Sequence, residues 1–132
     1  MPKLLRGAPD EVARRVARRS RSIPGDGADQ QRAFAEVRDL VEWPAIDMRI
    51  TAVDVDSGVR RLFTAADGVP IGRAIMASSA VPTVWPPVTI QNRRYMDGGA
   101  VTTTNADAAR PADRVVVIAP ILPRRFFGHS VE

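Results

Sequence analysis

Apolar residues in the first third of the chain recur at helical spacing. A narrow apolar stripe runs from Pro9 to about Ser20, and a proline followed by two acidic residues is typical of the first turn of a helix. A second stripe, from residue 29 to 40 or 41, follows the 3, 4, 7, 8 pattern of a core-facing helix. Pro44 ends it, because the residue before a proline is pushed out of the helical region. Residues 1–42 are therefore predicted to form a helical N-terminal segment.

After residue 46 the pattern changes to the alternation of β-strands. Residues 47–55 and 59–64 predict two strands, and the Asp-Ser-Gly sequence at 56–58 predicts a turn that joins them as a hairpin. A short helix rich in small residues is predicted over Ile71–Ser78. This order of elements indicates a mixed α and β domain.

The rest of the chain adds two further β-type runs. The first, 88–95, leads into an Asp-Gly-Gly corner that begins at Asp97. The second, 114–120, is almost wholly apolar, which is typical of a strand buried on both faces of a sheet covered by helices. A short helix is predicted between them at 106–109, and residues 122–132 are predicted to be an irregular tail. The fold class is therefore predicted to be α/β.

The composition fits one globular domain. The chain has 132 residues, of which 45% are hydrophobic and 26% charged, so disorder is not indicated. It has no cysteine, which excludes disulfides and thiolate chemistry and fits a reducing compartment. No apolar run approaches the roughly 20 residues of a membrane-spanning helix, and no signal peptide is readable. We therefore expect a cytoplasmic protein whose only contact with a membrane is peripheral.

The formal net charge of +4 comes mainly from arginine, and six arginines lie between Arg6 and Arg21. One interpretation is a solvated helix face. The other is a surface that contacts phosphate, of nucleic acid or of lipid headgroups. No aromatic residue interleaves with these arginines, so a base-stacking platform is not indicated.

Asp97 is the strongest candidate for a functional side chain. It follows a β-type run, and Gly98 and Gly99 let the backbone turn sharply and approach a ligand closely. Asp-Gly is also common in tight turns, so the local sequence alone leaves both interpretations open. Asp54 and Asp56 could be a metal-binding pair, but the Ser-Gly that follows favours turn chemistry.

Five segments between Trp43 and Pro120 occur together in one order. They are Trp43-Pro44 with Ile50-Thr51-Ala52-Val53-Asp54; Ala74-Ile75-Met76-Ala77-Ser78-Ser79-Ala80-Val81-Pro82; Pro86-Pro87-Val88; Tyr95-Met96-Asp97-Gly98-Gly99; and Asn105-Ala106-Asp107 with Ala112-Asp113-Arg114-Val115-Val116-Val117. In this order the block resembles the C-terminal half of the catalytic domain of patatin-like phospholipases, a family of lipid acyl hydrolases. Residues 43–121 are interpreted as that part of the domain.

The resemblance implies a three-layer α/β/α fold with a mixed sheet, which would be incomplete in this chain. It also implies a serine–aspartate dyad, in which a serine in a Gly-x-Ser-x-Gly elbow attacks the ester carbonyl and Asp97 is the activating base. Gly98 and Gly99 would present that base, and a glycine-rich loop would supply the oxyanion-hole amides. The implied substrate is a phospholipid or another acyl lipid, and no cofactor or metal is implied.

The chain departs from this pattern at the nucleophile. None of its six serines lies in Gly-x-Ser-x-Gly, and no glycine-rich loop follows a strand near the start. Ser78 and Ser79 end a predicted helix, so we interpret them as packing or capping residues. His129 lies in the irregular tail, where a surface position is the default interpretation.

Three explanations of the missing nucleophile stay open. Met1 is an internal start, the gene is truncated, or the chain works as a non-catalytic module that binds anionic lipid or nucleic acid through its N-terminal arginines. The first two predict unpaired strand edges and uncovered apolar faces. The leading hypothesis is the C-terminal portion of a patatin-like acyl hydrolase, inactive alone, whose partner is a missing N-terminal half or a second chain. This hypothesis involves no nucleic acid.

Overall fold

The computed structural model of the chain describes residues 9–20, 27–100, 102 and 104–119. In these residues the helices and strands are α1 (Pro9–Ser20), α2 (Ala28–Ala33), β1 (Ile50–Asp54), β2 (Arg60–Phe63), α3 (Ile71–Ser78), β3 (Val88–Ile90) and β4 (Arg93–Asp97). Short 3₁₀ turns occupy 65–67, 98–100 and 106–109. The α/β class predicted from the sequence is confirmed.

The four strands form one sheet in the order β2-β1-β4-β3. All three pairings in this described sheet are antiparallel, and the parallel pairs of a mixed sheet do not occur in it. The β1–β2 hairpin was predicted, whereas the run 88–95 divides into a second hairpin. Gln91 and Asn92 make its turn, both with positive φ, as the two central residues of a type I′ turn require.

The sheet carries a helix on each face, which gives three layers. Side chains alternate across a strand, so Ala52 and Tyr95 point to the face covered by α3, with Phe63 and Met76 in the same cluster. On the opposite face α1 packs against β1, β4 and the adjoining turns. The buried cluster there consists of Val16 and Ala17 of α1 together with Val53, Val55, Met96 and Ala100. Both clusters are almost fully buried. Strand β4 therefore lies between two cores and is held on both faces.

Helix α2 is shorter than predicted, because it ends at Ala33 and turns replace the helix over 34–39. The carbonyls of Leu40 and Val41 instead accept hydrogen bonds from the N–H groups of Gly72 and Ile71, at 3.0 and 3.3 Å. These N–H groups belong to the first turn of α3, where no partner exists within the helix. The side chains of Leu40 and Val41, expected in a core-facing stripe, are 47% and 61% exposed.

The apolar run at 115–119 is not a strand, which corrects the sequence prediction. Val116 and Ile118 are each 87% exposed, and Val115 and Val117 are about half exposed. Local apolarity predicts burial, but burial requires neighbouring elements, and the described part of the chain provides no strand next to this run. The run is an uncovered apolar surface of the kind that the fragment hypothesis predicts.

Asp54 organises the turn between β1 and β2. Its Oδ1 accepts hydrogen bonds from the Asp56 N–H at 2.9 Å and the Ser57 N–H at 2.8 Å, and its Oδ2 accepts one from Arg93 at 3.0 Å. Burial acts to raise the pKa of Asp54, but the hydrogen bonds from Ser57, Arg93 and Asp56 outweigh it and hold the pKa below its usual range. This carboxylate closes the hairpin turn, as the turn interpretation of Asp54 predicted.

None of the helices in the described ranges is long and apolar enough to cross a membrane.

Candidate active site at the end of strand β4

Asp97 is the last residue of β4 and is held there by backbone bonds. It pairs with Ala52 of β1, and its N–H donates to the carbonyl of Ala80, which follows α3, at 3.0 Å. The carboxylate therefore lies where a central strand, its neighbour and the end of a helix meet. Its backbone position is fixed by elements that belong to the core.

The Asp97 carboxylate is half-buried and has one hydrogen-bond donor. Its Oδ1 accepts from the Gly99 N–H at 2.6 Å, while Oδ2 receives no hydrogen bond from any residue that the structure describes. Burial raises the pKa of Asp97 above its usual range, and the Gly99 hydrogen bond offsets part of that rise. A carboxylate that is oriented by one oxygen, unpaired at the other and more basic than usual can accept a proton from a hydroxyl group.

Asp97→Asn is expected to stabilise the protein at neutral pH. The folded-state pKa of Asp97 lies above its unfolded value of about 3.9, so stability is lost as the pH rises from that value through the folded pKa. Asparagine escapes this loss because it has no charge, and its Oδ1 still accepts from Gly99. In urea unfolding at about pH 7 the variant should have the higher midpoint, and near pH 3.5 the difference should shrink.

Asp113→Asn is the matched control for this measurement, because it removes the same charge from an exposed position. Its midpoint should stay close to that of the wild type at both pH values. An equal gain in both variants at neutral pH would assign the effect to net charge and not to the burial of Asp97.

Gly98 packs directly against strand β1. A Cβ atom built at this position would lie 2.3 Å from Thr51 Oγ1 and 2.6 Å from the Thr51 carbonyl oxygen. Its φ is not in the left-handed region, so the requirement for glycine comes from the close approach of two backbones. The sequence predicted a close approach at this corner, but to a ligand. In the structure Gly98 meets the neighbouring strand.

A polar network anchors the carbonyl of Gly98 from the other side. Asn105 Nδ2 donates to that carbonyl at 3.3 Å, and Asn105 Oδ1 accepts from Arg60 at 3.1 Å. Arg60 also forms a two-pronged ion pair with Asp107, at 2.7 and 2.5 Å. Sequence reasoning placed Asn105 and Asp107 only in a family segment and did not assign them this role. The available signal was the residue type, because asparagine readily adopts the left-handed conformation that Asn105 has in the structure.

The described serines do not form a dyad with Asp97. Ser20 lies 3.5 Å from the sulfur of Met96, the residue before Asp97. However, Ser20 is 1% exposed, and strand alternation places Met96 and Asp97 on opposite faces of the sheet. Ser57 bonds Asp54 in the hairpin turn, and Ser79 caps the end of α3, where Ser78 is the last residue. Ser22 and Ser130 lie outside the described residues.

The other candidate residues from the sequence are not part of a functional site among the described residues. Asp54 is occupied by the turn bonds described above, and no group of three or more metal-ligating side chains occurs among the residues that the structure describes. Asp56 forms an ion pair with Arg94 at 3.5 Å. His129 lies outside the described residues. Asp97 is therefore the candidate that keeps an available oxygen.

A surface groove of about 580 Å³ lies next to this corner. Thr51 and Asn105, which both contact Gly98, line it together with Arg49 and the apolar run 115–118. Its volume is in the range of ligand clefts, roughly 300–1,000 Å³, and one wall is apolar. Asp97 itself does not line the groove.

Comparison with known families adds one match. A family model described as patatin-like phospholipase matches residues 4–110, which is most of the chain. The matched range includes α1 and α2 as well as the whole sheet and the corner that follows Asp97. No curated protein matches the chain.

Proposed function

The chain belongs to the patatin-like phospholipase family, and from that premise we propose that it supplies the base half of a serine–aspartate ester hydrolase site. Asp97 is the base, and the substrate is a phospholipid or another acyl lipid. The observation that carries the proposal is the Asp97 carboxylate, half-buried, oriented by Gly99 and without a second partner in the described ranges.

The chemistry assigned to Asp97 is the transfer of one proton in each half of the reaction. Asp97 takes the proton of a serine hydroxyl as the serine oxygen bonds to the ester carbonyl carbon. The proton then passes to the departing alcohol oxygen as the ester bond breaks and leaves an acyl-serine. In the second half Asp97 takes a proton from the water that attacks the acyl-serine, and it passes this proton to the serine oxygen as the fatty acid is released. A raised pKa supports this role because it brings the basicity of Asp97 closer to neutral pH.

The nucleophile of this reaction comes from outside the chain. The sequence has no Gly-x-Ser-x-Gly, and each described serine is buried or engaged in a turn or helix end. We therefore expect the isolated protein to be inactive, and an N-terminal half or a second polypeptide to complete the site. The apolar wall of the groove beside Gly98 suits the acyl chain of the substrate.

The test combines the purified chain with a separately expressed N-terminal half of an active family member that carries the elbow serine. Hydrolysis of a p-nitrophenyl ester should be absent for either part alone and should appear on mixing. Asp97→Asn should reduce the rate by about 10²–10⁴-fold, the usual contribution of a general base, whereas Asp113→Asn should not.

Two results would contradict the proposal. Hydrolysis by the chain alone that Asp97→Ala abolishes would show that the chain contains its own nucleophile. Reconstituted hydrolysis that Asp97→Asn leaves unchanged would remove Asp97 from the reaction.

A further inference from the structure

Helix α1 presents arginines on the side that faces away from the sheet. Val16, Ala17 and Ser20 are buried against the sheet, so the orientation of the helix about its axis is set. Arg14, Arg15, Arg18 and Arg19 occupy one continuous arc of about 140° on the opposite side, at 100° per residue. Arg14, Arg18 and Arg19 are exposed and Arg15 is half-buried. We call the three exposed residues, Arg14, Arg18 and Arg19, the arginine face.

The arginine face differs from most of the other described arginines in its ion pairing. Seven other arginines each have an acidic partner within 4 Å: Arg32, Arg38, Arg49, Arg60, Arg61, Arg93 and Arg94. Within the described residues no ion pair involves Arg14, Arg18 or Arg19. The acidic residues of α1, Asp10 and Glu11, both lie in its first turn. Three arginines without an ion pair among the described residues therefore lie together on one side of α1.

Two acidic residues close to this face already have arginine partners. The arginine face adjoins the β1–β2 turn, where a Cβ atom built at Gly58 would lie 2.9 Å from Arg14 Cγ. Asp54 and Asp56 of that turn pair with Arg93 and Arg94 at 3.0 and 3.5 Å. Both carboxylates of this turn therefore have a counter-charge outside the arginine face.

We propose that the arginine face docks the protein on a membrane surface that contains anionic lipid. Guanidinium groups bind phosphate oxygens with two parallel hydrogen bonds, and a row of them matches a plane of phosphate headgroups. The α1 sequence has no aromatic residue for stacking on bases, and the apolar residues described on this helix are buried. The contact is therefore electrostatic and lies at headgroup level. The choice of lipid over nucleic acid rests on the proposed function, because a lipid hydrolase meets its substrate at such a surface.

The test measures co-sedimentation of the full chain with vesicles of phosphatidylcholine alone and with added phosphatidylglycerol. Binding should require the anionic lipid and should be lost at about 0.5 M salt, where screening is nearly complete. Each arginine near an anionic surface contributes about fivefold to partitioning, so Arg18→Gln with Arg19→Gln should weaken binding about 25-fold. Both side chains are exposed, so folding should be unaffected, which circular dichroism checks.

Arg32→Gln with Arg38→Gln is the matched control, because it removes the same net charge from two arginines that have acidic partners. This control should bind anionic vesicles like the wild type. Equal losses of binding in the two double variants, or equal binding to neutral and anionic vesicles, would contradict docking through the arginine face. Binding to a DNA duplex without binding to anionic vesicles would replace the lipid with nucleic acid.

The docking test is independent of catalysis. Asp97→Asn should bind anionic vesicles as the wild type does, because Asp97 lies at the end of β4 and not on the arginine face. If Asp97 fails as a base in the reconstituted assay while docking persists, only the hydrolase role falls. If vesicle binding is absent while the reconstituted hydrolysis depends on Asp97, only the docking role of the arginine face is contradicted.

Discussion

Gly98→Ala is expected to destabilise the folded protein by about 3 kcal/mol, at the upper end of the usual cost of overpacking. The added methyl would lie 2.3 Å from Thr51 Oγ1 and 2.6 Å from the Thr51 carbonyl oxygen. Strand β1 cannot retreat, because it pairs with β2 on one side and with β4 on the other. Urea unfolding of the wild type and the variant measures the loss.

Two control variants separate the causes of this loss. Adding Thr51→Ala to Gly98→Ala removes the clash with the hydroxyl but leaves the clash with the carbonyl oxygen, so most of the loss should remain. Gly68→Ala places a methyl in open space at a φ of +64°, so it reports backbone strain alone, about 1–2 kcal/mol. If Gly98→Ala unfolds at the wild-type midpoint, the corner is not packed on β1 as described.

Phe63→Ala is expected to cost about 3–5 kcal/mol, the range for deleting a buried aromatic ring. Phe63 is 1% exposed, and its ring meets that of Tyr95 edge-on, with centroids 5.0 Å apart at 76°. A domain of this size is stable by only about 5–15 kcal/mol, so the loss is a large share of the total. Thermal and urea unfolding should both show a large shift, and the β2 edge of the sheet should lose its protection from amide exchange first.

A double-mutant cycle isolates the contact between the two rings. Phe63→Leu and Tyr95→Leu each keep an apolar side chain, and the coupling between them should be about 0.5–1.5 kcal/mol. Additive losses in the cycle would show that the edge-on pair contributes nothing beyond burial. A loss under about 1 kcal/mol for Phe63→Ala would place the ring outside the core.

Elements that carry their own start and stop signals could be predicted from the sequence. Helix α3 occupies Ile71–Ser78 as expected, since Pro70 lies directly before its first residue and its small and apolar residues face the sheet. The β1–β2 hairpin was also predicted, because Asp54 and Gly58 supply the local turn chemistry. In each case the determining interactions lie within the segment itself.

Other elements were predicted wrongly or were missed. Turns replace the second half of the predicted helix from residue 29, and the carbonyls of Leu40 and Val41 after these turns bond to α3, a contact that no local pattern shows. The turn at Gln91 and Asn92 was missed because it lacks the glycine that usually marks a type I′ turn.

The candidate site was also only partly predictable from the sequence. The position of Asp97 at a strand end followed from the strand pattern and the two glycines after it. The contact of Gly98 with Thr51 and the hydrogen bond from Asn105 to Gly98 could not be predicted from the sequence pattern. These contacts join residues about 47 and 7 positions apart in the chain. Sequence pattern locates the carboxylate, and tertiary contacts determine how firmly the corner holds it.

The uncovered run at 115–119 makes the chain prone to aggregation. It has five consecutive residues of high β propensity or small size with no charge and no proline, and most of its surface is exposed. Segments of this type stack with copies of themselves into cross-β structure. Arg114 precedes the run and Pro120 follows it, and these are the residue types that act as gatekeepers beside such segments. The solubility of the chain at high concentration therefore depends on a charge and a proline ring at the two ends of this run.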